Sequence, residues 1–157
     1  MNKKIELIND FQELINNDFH SERDFSKYII ENKEIFCKDV LGIKYKSHNT
    51  EMPFRKISHL HDNEPRVDIV FWDNKGNAYF VELKGRNNSY LDCMTGIGQC
   101  LSYYYLARAN DIKVGGVYLV ANKHCNLAPL IIRDNNLKIE YVYFSKDKWA
   151  KVFNNNE

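Results

Sequence analysis

PRVDIVFWDNKGNAYFVELKGR, residues 65–86, is the stretch on which the reading of this chain turns. Two β-rich runs, Val67–Trp72 and Ala78–Gly85, flank the turn segment Asp73–Asn77 with Gly76 inside it, the pattern of a hairpin. Side chains alternate across a strand. Val67, Ile69 and Phe71 therefore share one face, and Asp68, Val70 and Trp72 the other. On the second run Tyr79, Val81 and Leu83 share one face, and Ala78, Phe80, Glu82 and Lys84 the other. If residues 73–77 form the loop, Trp72 faces Ala78, and counting outward puts Asp68 opposite Glu82. A loop shorter by two residues keeps both carboxylates on one face, whereas a one-residue slip separates them.

Directly opposed side chains have Cβ atoms about 4.5–5.5 Å apart, and two carboxylates that close repel each other unless a cation lies between them. Lys84 shares their face and supplies part of that charge. A solvent-facing ion cluster is the plain alternative, since alternating polar residues are common on antiparallel sheets. Val70, Trp72 and Phe80 make this face too apolar for that reading. The pattern suits a hard divalent cation held by one or two carboxylates with waters and a substrate phosphate. The chemistry that follows is metal-assisted attack of water on a phosphodiester.

The rest of the chain is consistent with one α/β domain over residues 1–157, with no Pro/Gly/Ser linker and no internal repeat. Hydrophobic residues make up 44% and charged residues 27%, ordinary for a soluble globular protein. The net charge of +1 means that any nucleic-acid surface has to be local. No apolar run is long enough for a membrane span. Glu6, Asp10 and Glu13 interrupt the N-terminal apolar segment and exclude a secretory signal peptide. Cys37, Cys93, Cys100 and Cys125 have no metal-type spacing and read as reduced thiols of a cytoplasmic protein, so an iron–sulfur cluster is not expected.

Helical spacing of Ile8, Phe11 and Ile15 predicts an N-terminal helix over residues 4–16, an extension occupying 1–20. Ser21 predicts the N-cap of a second helix that ends near Cys37. Ile43–Ser47 reads as a strand followed by a polar loop, His48–Glu51. After the hairpin comes a helix containing Gly96 and Gly98 and reaching Arg108. VGGVYLVA and LKIEYVYF are two further strands, and SKDKWAKVF is a closing helix, so that 123–157 reads as a C-terminal strand and helix. The expected architecture is a mixed central sheet flanked by helices.

Asp68 followed by Glu82-Leu83-Lys84 across a hairpin resembles the core of the PD-(D/E)XK nuclease superfamily, in particular the RecB-like and archaeal mismatch endonuclease-like nuclease domains. The helix segment Gln99-Cys-Leu-Ser-Tyr103 resembles the QxxxY motif of RecB-like nucleases, and SERDFSKYIIENKEIF is similar to their first core helix, with Glu22 at the position of its glutamate. The likeness covers residues 20–122, and the motif's proline is displaced to Pro65. The extra DNA-binding domain of the archaeal mismatch enzymes has no room in this sequence, so their specificity is not expected here. The resemblance implies a restriction-endonuclease-like αβββαβ core over 21–122 and a divalent-metal-dependent nuclease acting on DNA, endonuclease before exonuclease. It implies Mg²⁺ or Mn²⁺ held by Asp68, Glu82, the Leu83 carbonyl and Glu22. It also implies that Lys84 orients or deprotonates the attacking water, and that Gln99 and Tyr103, one turn apart, face the site.

Each assignment has a plainer counterpart. Glu22 in a first helical turn stabilises the helix through its dipole alone. Gln99 and Tyr103 could be ordinary helix-surface residues. Gly96 and Gly98 point to a close approach of backbone or phosphate, or merely to a late helix start. Arg55, Lys56, Arg66 and Arg86 are the candidates for phosphate contacts. His59 and His61 flank Leu60 with spacing suited to a zinc pair, but no third ligand accompanies them and loop histidines are the expectation. A homodimer is expected, because one site cuts one strand. Two rival functions remain: a catalytically silent nucleic-acid-binding or assembly module of the same fold, and a defence or restriction component targeted by a protein partner.

Overall fold

The structure, a computed structural model, describes residues 4–7, 21–54, 65–85, 90–122, 125–145 and 148–153. It contains the predicted hairpin, β3 (Arg66–Trp72) and β4 (Ala78–Lys84), with Trp72 opposite Ala78 as counted. Asp73 fixes that register. Its Oδ1 accepts the Lys75 and Asn77 backbone N–H groups at 2.8 and 2.9 Å, and its Oδ2 accepts Asn77 Nδ2 at 2.7 Å. Gly76 supplies the left-handed residue, φ 78°, that brings its N–H onto the Asp73 carbonyl. These bonds hold the Asp73 carboxyl below its ordinary range, the Asn77 side-chain bond first among them.

Among the described residues, β1 (Lys4–Leu7), β2 (Ser47–Pro53), β3, β4, β5 (Val114–Ala121), β6 (Glu140–Ser145) and β7 (Lys148–Phe153) form one mixed sheet of seven strands in the order β1-β7-β6-β5-β4-β3-β2. β5 runs parallel to β4, and β6 runs parallel to β5; the other neighbours are antiparallel. On one face lie α1 (Glu22–Glu31), the single turn α2 (Lys33–Phe36) and a π-helical turn (Cys37–Leu41). Phe25, Ile29 and Phe36 pack there against Ile69, Phe71, Val81 and Leu83. On the other face α3 (Tyr90–Ala109) and α4 (Leu127–Asp134) set Ile97, Tyr103, Ala128 and Ile132 against Val70, Phe80 and Leu119. Among the described residues no helix is long and apolar enough to cross a membrane.

The Ser21 cap is present, its side chain accepting the Asp24 N–H at 3.1 Å. The helical stretch runs past Cys37 to Leu41 and stops at Gly42, whose φ of 70° turns its N–H onto the Cys37 carbonyl. Four further expectations change. Residues Lys4–Leu7 form β1 rather than a helix, paired antiparallel with Ala150–Phe153; the remainder of the expected N-terminal helix lies outside the described residues. The closing helix is replaced by β7 (Lys148–Phe153), which its Trp, Val and Phe favour. Ser145 pairs with Lys148, so only two residues join β6 to β7, the spacing of a hairpin. The strand expected at Ile43–Ser47 and the loop expected at His48–Glu51 give way to β2 (Ser47–Pro53), a polar edge strand held by the β3 backbone. Helix α4, with Pro129 tolerated in its first turn, had no counterpart in the sequence reading.

The two glycines of α3 are not equivalent. A Cβ at Gly96 would lie 2.7 Å from Leu119 Cδ1 and 2.8 Å from Lys84 Cε, whereas one at Gly98 meets nothing within 4 Å. Gly98 costs helix stability without a packing reason. Gly98→Ala is expected to raise the unfolding free energy by about 0.8–1 kcal/mol in urea titrations, and Gly96→Ala to lower it.

Candidate active site

The site assembles where β4 ends between α1 and α3. Glu82 is 1% exposed, one of two buried polar residues among those described, the other being Asn122. Its Oε1 accepts Lys84 Nζ at 2.9 Å, and its Oε2 accepts the Tyr103 hydroxyl. Lys84 Nζ also donates to Gln99 Oε1 at 2.9 Å. Gln99 and Tyr103, four residues apart on α3, thus each reach one member of the Glu82–Lys84 pair. The Tyr103 ring sits beside Phe54 and Phe80, and its hydroxyl also lies 3.3 Å from the Arg66 carbonyl. The Asn122 N–H donates to the Lys84 carbonyl at 2.9 Å, tying the end of β4 to the end of β5.

Asp68 stands one rung beyond Ile69↔Val81, the last paired position on the β3–β4 ladder. Its Oδ2 accepts the Leu83 N–H at 2.7 Å. The expectation that Asp68 and Glu82 simply share a face is modified here. Val67 and Val70 both pack in the cluster under α3, so strict alternation fails between them, at Asp68. On the neighbouring strand Thr50↔Ile69 and Met52↔Val67 bracket Glu51, which has a φ of 49°. The strands are distorted at this point, and Asp68 opens instead, with Leu83, into a cleft of about 820 Å³ between α1 and β2. Glu22 lines the same cleft, its Oε1 accepting the Gly85 N–H at 3.0 Å.

The electrostatics follow from this arrangement. Burial pushes the Asp68 carboxyl up, the Glu82 charge adds to it, and the result is about 7 despite the Leu83 N–H and Lys84. Burial also raises Glu82, opposed by Lys84 and Tyr103. For Lys84 burial acts downward, but the Glu82, Glu22 and Asp68 charges outweigh it and leave the ammonium raised. Burial, then Glu82, raises the Tyr103 hydroxyl, which therefore remains a donor.

Of the sequence candidates, Asp68, Glu82, Leu83, Lys84, Gln99, Tyr103 and Glu22 converge here. Arg66 is exposed at the start of β3. Arg55, Lys56, Arg86, His59 and His61 lie outside the described residues. The sequence reading missed Gly85, whose missing Cβ makes room for Glu22: a Cβ there would stand 2.9 Å from Glu22 Cγ. It also missed Arg23, Ser26 and Lys27, which line the cleft. Their one available signal was helical spacing from Glu22.

A mixed sheet with helices on both faces and this strand order is a restriction-endonuclease-like α/β fold. The crystal structure of a repair endonuclease from Pyrococcus abyssi has the same fold, with a TM-score of 0.51 and 23% sequence identity over 82% of this chain and 48% of that one. The chain therefore spans about half the length of that structure. No family model and no curated protein matches the sequence.

Without a bound cation, folded Asp68 holds its proton up to about pH 7, whereas the unfolded chain releases it near its ordinary value of about 3.9. The folded state binds more protons in that window, so stability falls as pH rises through it and the loss is complete above it. Asp68→Asn keeps an acceptor for the Leu83 N–H and removes the charge. Urea unfolding of chelator-treated protein is expected to show this variant gaining about 1–3 kcal/mol on wild type between pH 5 and pH 8.5.

Proposed function

We propose that this chain is a divalent-metal-dependent nuclease that hydrolyses phosphodiester bonds in DNA. The observation that carries this reading is Lys84, an ammonium held between the Glu82 carboxylate and the Gln99 amide, beside two further carboxylates that open onto a cleft. The donor set fits a hard cation. Asp68, Glu22 and the Leu83 carbonyl offer oxygen alone, and the Asp68 carboxyl is raised first by burial and then by the Glu82 charge, which the Leu83 N–H and Lys84 oppose without cancelling. Among the described residues no three His, Cys, Asp or Glu side chains already converge on one point. What is offered is two carboxylates and a carbonyl, within what Mg²⁺ takes alongside water and substrate phosphate.

Asp68 and Glu22, with the Leu83 carbonyl, would hold the cation. Bound there, Mg²⁺ supplies Lewis-acid stabilisation of charge on the phosphate and a more acidic water. Glu82, which holds Lys84, would join these ligands only if it released that ammonium, and Gln99 would then be what retains Lys84 facing the site. Lys84 orients the attacking water through its donors, and Tyr103 fixes Glu82 and excludes solvent from it. Asp68, Glu82, Lys84, Gln99, Tyr103 and Glu22, the residues that carry the PD-(D/E)XK and QxxxY resemblance, all lie around the end of β4, which supports this reading. The closure of both Glu82 oxygens by Lys84 and Tyr103 is the one observation that favours the rival, a silent module that binds nucleic acid without cutting it.

The two readings part on a purified chain incubated with Mg²⁺ and single-stranded, duplex, branched and mismatched DNA. Cleavage is expected, and Glu82→Ala or Lys84→Ala is expected to abolish it. Near-normal turnover by either folded variant defeats the assignment. Gln99→Ala is expected to slow turnover about ten- to a thousand-fold, as loss of a transition-state hydrogen bond does, while the thermal shift produced by Mg²⁺ stays at its wild-type size. Asp68→Ala is expected to lose both. Tyr104, whose hydroxyl donates to the Lys138 carbonyl away from the site, is the control. Tyr104→Phe is expected to lower stability by about 0.5–1.5 kcal/mol and to leave the rate unchanged.

A further inference from the structure

The cleft into which Asp68 opens is not electrically uniform. Its α1 wall carries Arg23 and Lys27 with Ser26 between them, and its β2 wall carries Thr50 and Glu51. Residues three and four apart occupy one face of a helix. Arg23, Ser26 and Lys27 therefore form a row leading away from Glu22, about 6 Å long at the helical rise. The other charges facing the cleft are Glu22 and Asp68 at the site itself and Glu31 at the far end of α1. Glu31 Oε1 stands 3.8 Å from Lys27 Nζ, with both side chains more than half exposed. An exposed pair of this kind is weak, so a polyanion displaces Glu31 from Lys27 at little cost. No ion pair engages Arg23 among the described residues.

Resting on the nuclease reading of the same cleft, we propose that Arg23, Ser26 and Lys27 form a phosphate rail. They take the sugar–phosphate backbone of the strand that leads away from Asp68. The phosphates lie against α1, and the sugar and base edge turns toward Thr50 and Glu51, because Glu51 repels phosphate from the opposite wall. Arg23 offers the fork geometry that pairs two phosphate oxygens at once, Ser26 a neutral donor, and Lys27 a mobile point charge. Contacts of this kind set the position of a strand and carry no base information. The rail therefore makes binding independent of sequence and dependent on salt.

The test is the affinity for a fluorescein-labelled single-stranded DNA oligonucleotide, read by anisotropy with Ca²⁺ in place of Mg²⁺, over about 50 to 200 mM salt. Arg23→Ala is expected to weaken binding several-fold and to flatten the slope of log K against log salt by about 0.7, the release of one counterion from a single strand. Glu31→Gln, which frees Lys27, is expected to tighten binding, an effect that damage to the helix would not produce. Lys113, exposed just before the end of β5 that pairs with Ala78 at the far end of β4 from Lys84, is the control cation, and Lys113→Ala is expected to bind as wild type. Arg23 and Glu31 are exposed, and thermal melting checks that their variants fold. Wild-type affinity and slope in Arg23→Ala, an equal loss in Lys113→Ala, or weaker binding in Glu31→Gln overturns the rail. If wild type cleaves while Arg23→Ala binds unchanged, the rail falls and the nuclease reading stands. If Arg23→Ala weakens binding by a chain that cleaves with no divalent cation, the rail stands and the catalytic reading falls. A wild-type chain that does not bind the single strand overturns the rail, and one that also cuts none of the four DNA substrates with Mg²⁺ overturns the nuclease reading.

Discussion

A carboxylate as buried as Glu82 must be matched where it lies, because removing an ion from water costs several kcal/mol even after relaxation. In this chain the match comes from two directions. Lys84 reaches it from the same strand, and Tyr103 reaches it from α3. The second contact fixes how the longest helix sits on the sheet. The Tyr103 ring packs in a cluster with Phe54 and Phe80, which also touch each other, and α3 lies over Val117 and Leu119. Gly96 completes the fit one turn before Gln99, where any side chain would collide with Lys84 and Leu119. The apolar packing under α3 and the polar contacts of Gln99 and Tyr103 in its middle turns therefore specify one docking and not two separate ones.

The hairpin was legible because local chemistry decides it: alternation sets the faces and Asp73 and Gly76 set the loop, so the register could be counted from sequence alone. Gln99 and Tyr103 were legible through the QxxxY resemblance; their four-residue spacing puts them on one helix face but does not say what that face meets. What could not be read depends on partners far along the chain. Lys4–Leu7 is a strand because Ala150–Phe153 lies beside it, and its own spacing gives no warning. Polar Ser47–Pro53 is a strand because β3 offers an open backbone edge; an edge strand exposed to solvent needs no apolar alternation. The departure at Asp68 belongs to the same class. Alternation predicts its face correctly only while the strand stays regular, and the left-handed Glu51 on the neighbouring strand marks where regularity ends.

That local distortion divides the acids of the site between two environments. On the α3 side Glu82 is surrounded by donors, an ammonium and a phenol, which favour its charge against burial. On the α1 side Asp68 has one backbone N–H, with Glu82 and Glu22 nearby, and its carboxyl rises to about 7. Two carboxylates on adjacent strands thus acquire different chemistry from their surroundings, a general route by which one fold holds acid and base functions side by side. The consequence concerns which of them answers to a ligand. Glu82 already has its counter-charge, and adding a cation there means dismantling an existing pair. Asp68 is in no close ion pair among the described residues and faces the open cleft, so a cation arriving from solvent would meet Asp68 before Glu82. Glu22 is joined to that position through Gly85, across the same opening, and its exposure leaves it hydrated until a ligand arrives. On the proposed metal-dependent reading, burial would set the order of engagement: the cleft acids would meet the incoming cation, and the buried Glu82–Lys84–Gln99 chain would respond behind them.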